Sequence, residues 1–304
     1  MRIHSRAIIY FDMVRRCGSV RQASRRLNVS ASAVNRQLLH LEGEIGAPLF
    51  ERLPSGMKLT PAGEVLARHS ITVIQDAQRT ASEFDNLRGV RRGKVSLITV
   101  EGVNSDLLPA VIGRMLQLHP MVEIEATTAG SAAIPPVVLS GDADIGLAFS
   151  LPRNENLQQR AVGKFRIGAV VQPGHPLTQE RRVTFAACAR YPLILGAPPL
   201  SIHALMEPLL RRHKAPLKTV VQATSIELMK SLALRGLGVA FQTPFGLEAE
   251  LRDGALVHLP LNDPAPLVSE LGAYVRAGRP LPSAVEAFLN LLSDELAARE
   301  AGEP

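Results

Sequence analysis

The hydrophobic periodicity of this chain changes once, near residue 93, and that change constrains the fold more than any other feature. Before it, apolar residues recur at helical spacing; after it, short apolar runs of strand length alternate with helical ones. Such alternation predicts mainly parallel sheets flanked by helices. Two successive runs of it predict two α/β lobes with a cleft between them. A chain of 304 residues is long enough for several units. Its 46% hydrophobic and 20% charged residues suit a packed core and exclude wholesale disorder. It has no apolar run of about 18 residues and no signal-peptide pattern, which predicts a cytoplasmic protein without a membrane partner.

Charge divides at the same place. Residues 1–92 carry 15 basic and 8 acidic side chains, whereas residues 93–304 carry 19 and 20. Within residues 1–41 eight basic side chains face one acid, Asp12. A basic module on a near-neutral body predicts a polyanion partner for the module; a solvated charged face is the alternative reading.

Residues 5–16 read as a helix that Gly18 ends, with Ala7, Ile8, Phe11 and Val14 on one face. Ser19 can cap a second helix, Val20–Leu27, and a three-residue turn leads into a third, Ala31–Glu44. Two short helices joined by a tight turn have helix-turn-helix spacing. A strand over Gly46–Arg52, a turn at Pro54-Ser55-Gly56 and the return Met57–Leu59 make a small hairpin, a wing. Thr60-Pro61 starts a further helix reaching about Leu87, with a heptad-like seam of Leu66, Ser70, Val73, Ala77, Thr80, Phe84 and Leu87. Residues 88–93 read as a hinge. The expected domains are therefore a winged helix-turn-helix over 1–60, a dimerising linker over 61–92 and an α/β body over 93–304. Within the body, one lobe takes about 93–163 plus 268–304 and the other 164–267.

Further along, Ser105–Leu118 is expected as a helix, Phe165–Val171 as one strand and Pro244–Leu251 as a helix. Ser131–Leu139 looks helical despite Pro135-Pro136 in its middle.

These residues resemble the LysR-type transcriptional regulators. The likeness is dense over residues 5–66: Phe11, Gly18-Ser19, Ala23, Leu27, the run Ser30–Leu38, Leu41-Glu42, Gly46, Leu49-Phe50, Arg52 and Leu59-Thr60-Pro61-Ala62-Gly63. It continues more loosely through Leu108-Pro109, His119-Pro120, Gly141 with Asp144-Ile145, and Gly236–Ala240. The resemblance implies a winged helix-turn-helix, a dimerising linker helix and two lobes similar to periplasmic solute-binding proteins. It further implies a dimer or dimer of dimers whose cleft-bound small molecule alters contacts with double-stranded DNA and RNA polymerase. Ala31 stands where many relatives have Gln, Asn35 where they have Ser, and Ser24 where they have a second Ala. The operator inferred from relatives therefore does not transfer.

On the third helix, Ser32, Asn35, Arg36 and His40 point outward, with Gln37 nearby. Arg36 can fork onto guanine, and Asn35 or Gln37 can pair adenine. Ser30 and Ser32 can bond phosphate, while Gln37 and His40 can equally decorate solvent. Arg52 and Lys58 suit minor-groove or phosphate contacts, with a structural ion pair as the alternative for Arg52. Arg25 and Arg26 either contact phosphate or are solvated. Val73, Ala77, Phe84 and Leu87 are the dimerisation candidates.

In the body, strand ends facing the cleft nominate Glu101, Asn104, Ser105, Thr128 and Ser131 from one lobe and Ser201, Thr224 and Gln242 from the other. Ser105 and Ser131 at helix starts favour an anion, or merely cap. Glu101 favours a cationic or hydroxyl group. Enzyme motifs are absent: there is no G-x-S-x-G, P-loop or H-E-x-x-H. Cys17 and Cys188 supply neither a disulfide framework nor a zinc site, so neither cofactor nor metal is expected. A small-molecule receptor without a DNA role remains the alternative function.

Overall fold

The structure, a computed structural model, describes residues 6–87, 92–278 and 280–302, without the side chains of 78, 82 and 85–87. It forms two compact units, one built on the residues up to Arg92 and one on those from Gly93.

The first unit contains α1 (Arg6–Cys17), α2 (Val20–Leu27), α3 (Ala31–Ile45), β1 (Phe50–Leu53), β2 (Gly56–Leu59) and α4 (Pro61–Leu87). Three helices begin on a side-chain cap. Ser19 Oγ accepts from Gln22 N at 3.4 Å, Ser30 Oγ from Ala33 N at 3.2 Å and Thr60 Oγ1 from Gly63 N at 3.0 Å. Each such cap stabilises its helix by about 1 kcal/mol. Between α2 and α3 the chain turns on Asn28 at φ 53°, a left-handed conformation that Asn tolerates. Phe11, Val14, Ala23, Val34, Leu38 and Leu49 form the core of this unit.

The motif residues of the first 66 positions have physical tasks here. Glu42 Oε1 accepts from Leu49 N at 2.7 Å, which fixes the entry to β1. A Cβ on Gly63 would lie 2.1 Å from Leu49 O, so only glycine lets α4 pass this backbone. Ser24 is buried, and its hydroxyl is satisfied by donating to Arg21 O at 2.9 Å. The wing strand is shorter than expected: Gly46, at φ 76°, caps α3, and pairing starts only at Phe50, opposite Leu59.

Along α4 the seam changes character. Ser70 is fully buried and Leu66 packs on the core of the unit, whereas Val73, Ala77 and Thr80 are half-buried and Phe84 is 45% exposed. The Leu87 side chain and hinge residues 88–91 lie outside the described residues.

The second unit runs β3 (Arg92–Thr99), α5 (Leu107–Leu118), β4 (Met121–Thr128), α6 (Ile134–Leu139), β5 (Ile145–Phe149), β6 (Leu157–Arg166), β7 (Gly168–Val171) and α7 (Phe185–Cys188). It continues with β8 (Leu193–Gly196), α8 (Ser201–Arg212), β9 (Thr219–Ala223), α9 (Ile226–Leu234), β10 (Ala240–Gln242), α10 (Glu248–Arg252), β11 (Val257–Pro260), β12 (Val268–Arg276) and α11 (Ser283–Ala301). One lobe holds a five-stranded sheet of order β4-β3-β5-β12-β6. The other holds β10-β7-β11 and β8-β9, joined by Val239, which donates to Pro192 O at 2.8 Å and accepts from Ile194 N at 2.9 Å. A Cβ on Gly238 would lie 2.6 Å from Pro192 O, so glycine is required for that junction. Joined, the second lobe reads β9-β8-β10-β7-β11, the same arrangement as the first.

The sheets are mixed rather than mainly parallel. β3 with β5 and β8 with β9 are parallel; β12 runs antiparallel to β5 and β6, and β7 antiparallel to β10 and β11. The chain crosses from lobe to lobe twice, and strands next to a crossing enter without a strand–helix–strand return, so nothing forces them parallel. One crossing divides the single strand expected over Phe165–Val171. Ile167 separates β6 from β7, donating to Leu267 O at 2.7 Å and accepting from Leu261 N at 2.8 Å. The expected Pro244–Leu251 helix shortens to α10, because Gly246 takes a left-handed φ of 82° before it. Pro135 and Pro136 fall in the first turn of α6, where a missing N–H costs no helical bond.

Candidate nucleic-acid interface and ligand pocket

On the first unit, α3 exposes Ser32, Arg36 and His40 and leaves Asn35 and Gln37 half-buried. No ion pair holds Arg36 or Lys58 among the described residues, so both charges are open to a polyanion. Arg25 and Arg26 are exposed at the end of α2. Ser30 Oγ caps α3 and lies 3.0 Å from Ser32 Oγ, and His40 Nε2 lies 3.5 Å from Glu44 Oε1.

Arg52, expected at the minor groove or a phosphate or else in a structural ion pair, makes a hydrogen bond within its own unit and stays exposed. Its guanidinium donates to Asn35 Oδ1 at 2.7 Å, tying the wing to the middle of α3. The bond turns the Asn35 amide, so that its Nδ2–H₂ remains the group free to donate to a base acceptor.

In the second unit a cavity of about 270 Å³ opens between the two lobes. Glu101, Thr128, Ser131, Ser201, Thr224 and Gln242 line it; Asn104 and Ser105 do not. Asn104 stands behind the wall. It accepts from Thr99 Oγ1 and donates to Thr128 Oγ1, both at 2.8 Å, which leaves the Thr128 hydroxyl proton free to point elsewhere. Ser105 lies outside the helix whose start it was expected to mark, because α5 begins at Leu107 after Asp106, and its Oγ is 3.5 Å from Glu248 Oε2. Ser131 is buried, with Oγ accepting from Phe149 N at 3.2 Å.

The Glu101 carboxylate, expected to favour a cationic or hydroxyl group, is engaged by the protein itself. Oε1 accepts from Ser225 Oγ at 2.9 Å and Oε2 from Ile226 N at 2.7 Å, so one lobe supplies the anion at the N-terminus of α9 in the other. Sequence reading missed Ser225, Thr243 and Ser269 in the lining, along with the apolar wall of Phe149, Ile167 and Phe245. Ser225 follows Thr224 and caps α9, so its signal was present. Ser269 lies on β12, and only the tertiary fold brings it here.

Gln242 O is 3.0 Å from His258 Nε2, and burial lowers the His258 pKa below the usual histidine value of 6.5. The unfolded chain therefore binds more protons than the folded one as pH falls past that value, and stability declines. The melting temperature should drop between pH 7.5 and 5.5, with a shallower slope in His258→Gln. His175, lowered likewise by burial, carries part of what remains. An unchanged slope in the variant would assign the effect elsewhere. Burial also pushes the Cys188 thiol up to about 12, which keeps it protonated and inert as a nucleophile. Among the described residues no group of side chains could hold a metal ion.

Comparison with known proteins gives two family matches: "Bacterial regulatory helix-turn-helix protein, lysR family" over residues 5–64 and "LysR substrate binding domain" over residues 88–297. The chain is 26% identical over 297 residues to the RuBisCO operon transcriptional regulator of Allochromatium vinosum, covering 98% of each. It shares its fold with a full-length OxyR variant from Pseudomonas aeruginosa at TM-score 0.75 and 17% identity, covering 96% of this chain and 95% of that one. It also shares the fold of full-length BenM at TM-score 0.58 and 20% identity, covering 98% of both.

Proposed function

The chain belongs to the LysR family of bacterial transcriptional regulators, and from that premise we propose that α3 reads operator DNA while the cavity between the lobes takes the effector. The observation that carries the reading is the α3 surface: a capped helix with Arg36 exposed and without an ion-pair partner among the described residues, braced by the wing through Arg52 and Asn35. A helix so presented fits the major groove, about 12 Å wide, with Arg36 at base edges and Ser30, Ser32, Lys58, Arg25 and Arg26 at phosphates. Gln37 and His40 extend the same face. A receptor without a DNA role accounts for the cavity but not for this surface. Ser225 beside Glu101 sets a hydroxyl next to a carboxylate in the lining, but the pair is spent on the N-terminus of α9, which does not favour enzymatic chemistry.

The active species is a dimer or dimer of dimers, joined along Val73, Ala77 and Phe84 of α4. It acts in the cytoplasm and passes its signal to RNA polymerase. Among the described residues no helix is long and apolar enough to cross a membrane.

Thr128 is the proposed polar contact for the effector, together with Ser131, Ser201, Thr224 and Gln242. Thr128→Val keeps the shape and removes a hydroxyl whose proton is uncommitted. Losing one such hydrogen bond costs about 0.5–1.5 kcal/mol, so the effector concentration that shifts the DNA footprint should rise about 2- to 10-fold. Operator affinity without effector should stay the same. An unchanged effector response removes Thr128 from the contact set, and a loss of basal operator binding assigns it a folding role.

A further inference from the structure

We propose that the cavity between the lobes selects an uncharged ligand that presents an O–H or N–H donor to Gln242 Oε1. The inference rests on the reading of this cavity as the effector site and specifies the ligand class.

Gln242 is 3% exposed and lines the cavity. Its Nε2 donates to Phe245 O at 3.1 Å, and that acceptor fixes which way the amide faces. Its Oε1 is buried and no described donor reaches it. A buried acceptor without a donor is costly, and folded proteins rarely keep one without a use. A ligand hydroxyl or N–H supplies the missing partner.

The electrostatics of the lining argue against a negative charge. Among the described residues no Lys, Arg or His lines the cavity, whereas Glu101 does. The start of α9, whose backbone N–H groups would otherwise draw an anion, already holds the Glu101 carboxylate. The start of α8, which also lines the cavity, has no side-chain cap; its free N–H groups take an acceptor and alone would favour an anion, which the carboxylate of Glu101 in the same lining opposes. Phe149, Ile167, Leu205 and Phe245 give the rest of the ligand an apolar bed. Hydroxyls of Thr128, Thr224 and Thr243 serve as donor or acceptor and so do not discriminate by charge.

Three probes of one shape separate the possibilities: phenylacetamide carries the donor, N,N-dimethylphenylacetamide lacks it, and phenylacetate adds a charge. The melting temperature of the full chain is followed with each at millimolar concentration. Phenylacetamide should stabilise the protein, the other two binding at least about tenfold more weakly, because each leaves Gln242 Oε1 unpaired. In Gln242→Met the two amides should become equivalent; the wild-type comparison stands even if that variant folds poorly. Equal or tighter binding of phenylacetate, equal binding of the dimethylamide, or no shift with phenylacetamide overturns the proposed class. Thr128→Trp, which fills the cavity, separates this from the underlying reading. If the shift with phenylacetamide survives there, the probe binds elsewhere and the cavity reading itself falls.

Discussion

Replacing Phe84 with Asp should dissociate the protein into single chains, the largest effect of any one substitution considered. Phe84 lies on α4, a helix of 27 residues, and is 45% exposed in one chain. Val73, Ala77 and Thr80 precede it at 4-3-4 spacing and are each half-buried. Nearer its start α4 is already covered: Leu66 packs on the core of its unit, and Ser70 and Ile71 are buried. The later turns therefore carry the surface left for a partner helix. Burying each Phe side chain against a partner contributes about 1.5–3 kcal/mol, and a symmetric dimer counts it twice. Asp not only removes that gain but places two carboxylates in an apolar seam, at about 3–5 kcal/mol for an uncompensated buried charge. Light scattering should show the mass fall to that of one chain, with operator affinity falling too as the paired half-sites lose their avidity. A mass unchanged from the wild type takes this seam out of the interface.

Arg36→Ala should weaken specific DNA binding by about 1–3 kcal/mol, roughly 5- to 150-fold, and relax sequence choice at one base pair. The side chain is exposed on α3, and no carboxylate pairs with it among the described residues. Folding should be little affected, since the inward face of α3 belongs to Val34, Leu38 and Leu41. Competition between operator and random duplex separates the two possible contacts. A loss confined to the operator marks a base contact. An equal loss on both duplexes marks a phosphate contact and would contradict the base-reading role. Arg52→Ala probes a related point with a different outcome, because its partner is Asn35 rather than solvent.

Much of the first unit could be read from the sequence because its signals are local. Ser19 and Thr60 cap helices through bonds that span three residues, and the turn residues Gly18 and Asn28 take the positive φ their types suggest, whereas Gly46, expected in a strand, ends α3 instead. The Arg52–Asn35 bond was not legible, since it joins residues 17 apart across a hairpin. In the second unit the alternation of elements was legible, but strand direction was not. Periodicity reports which residues face a core, not which lobe owns a strand. The run from Phe165 to Val171 is continuous in hydrophobicity yet serves two sheets on either side of Ile167. β6 begins earlier than expected because Gln158, Gln159 and Arg160 make its first turns look like loop.

The candidate pocket followed the same division. Residues at strand ends, such as Thr128 and Gln242, could be nominated from local position. What they touch could not: the hydrogen bond from Asn104 to Thr128 and the reach of Glu101 across to Ser225 depend on long-range packing.

Genomic footprinting of the bound chain tests the central claim most directly. A regulator whose α3 reads operator DNA as a dimer should protect a small set of discrete sites. Each should hold two half-sites separated by about one helical turn or a multiple of it, and occupancy of the set should fall in Arg36→Ala, with sequence choice relaxed at one base pair. Protection spread over the genome without a shared sequence, or discrete sites that persist unchanged in Arg36→Ala, would contradict it.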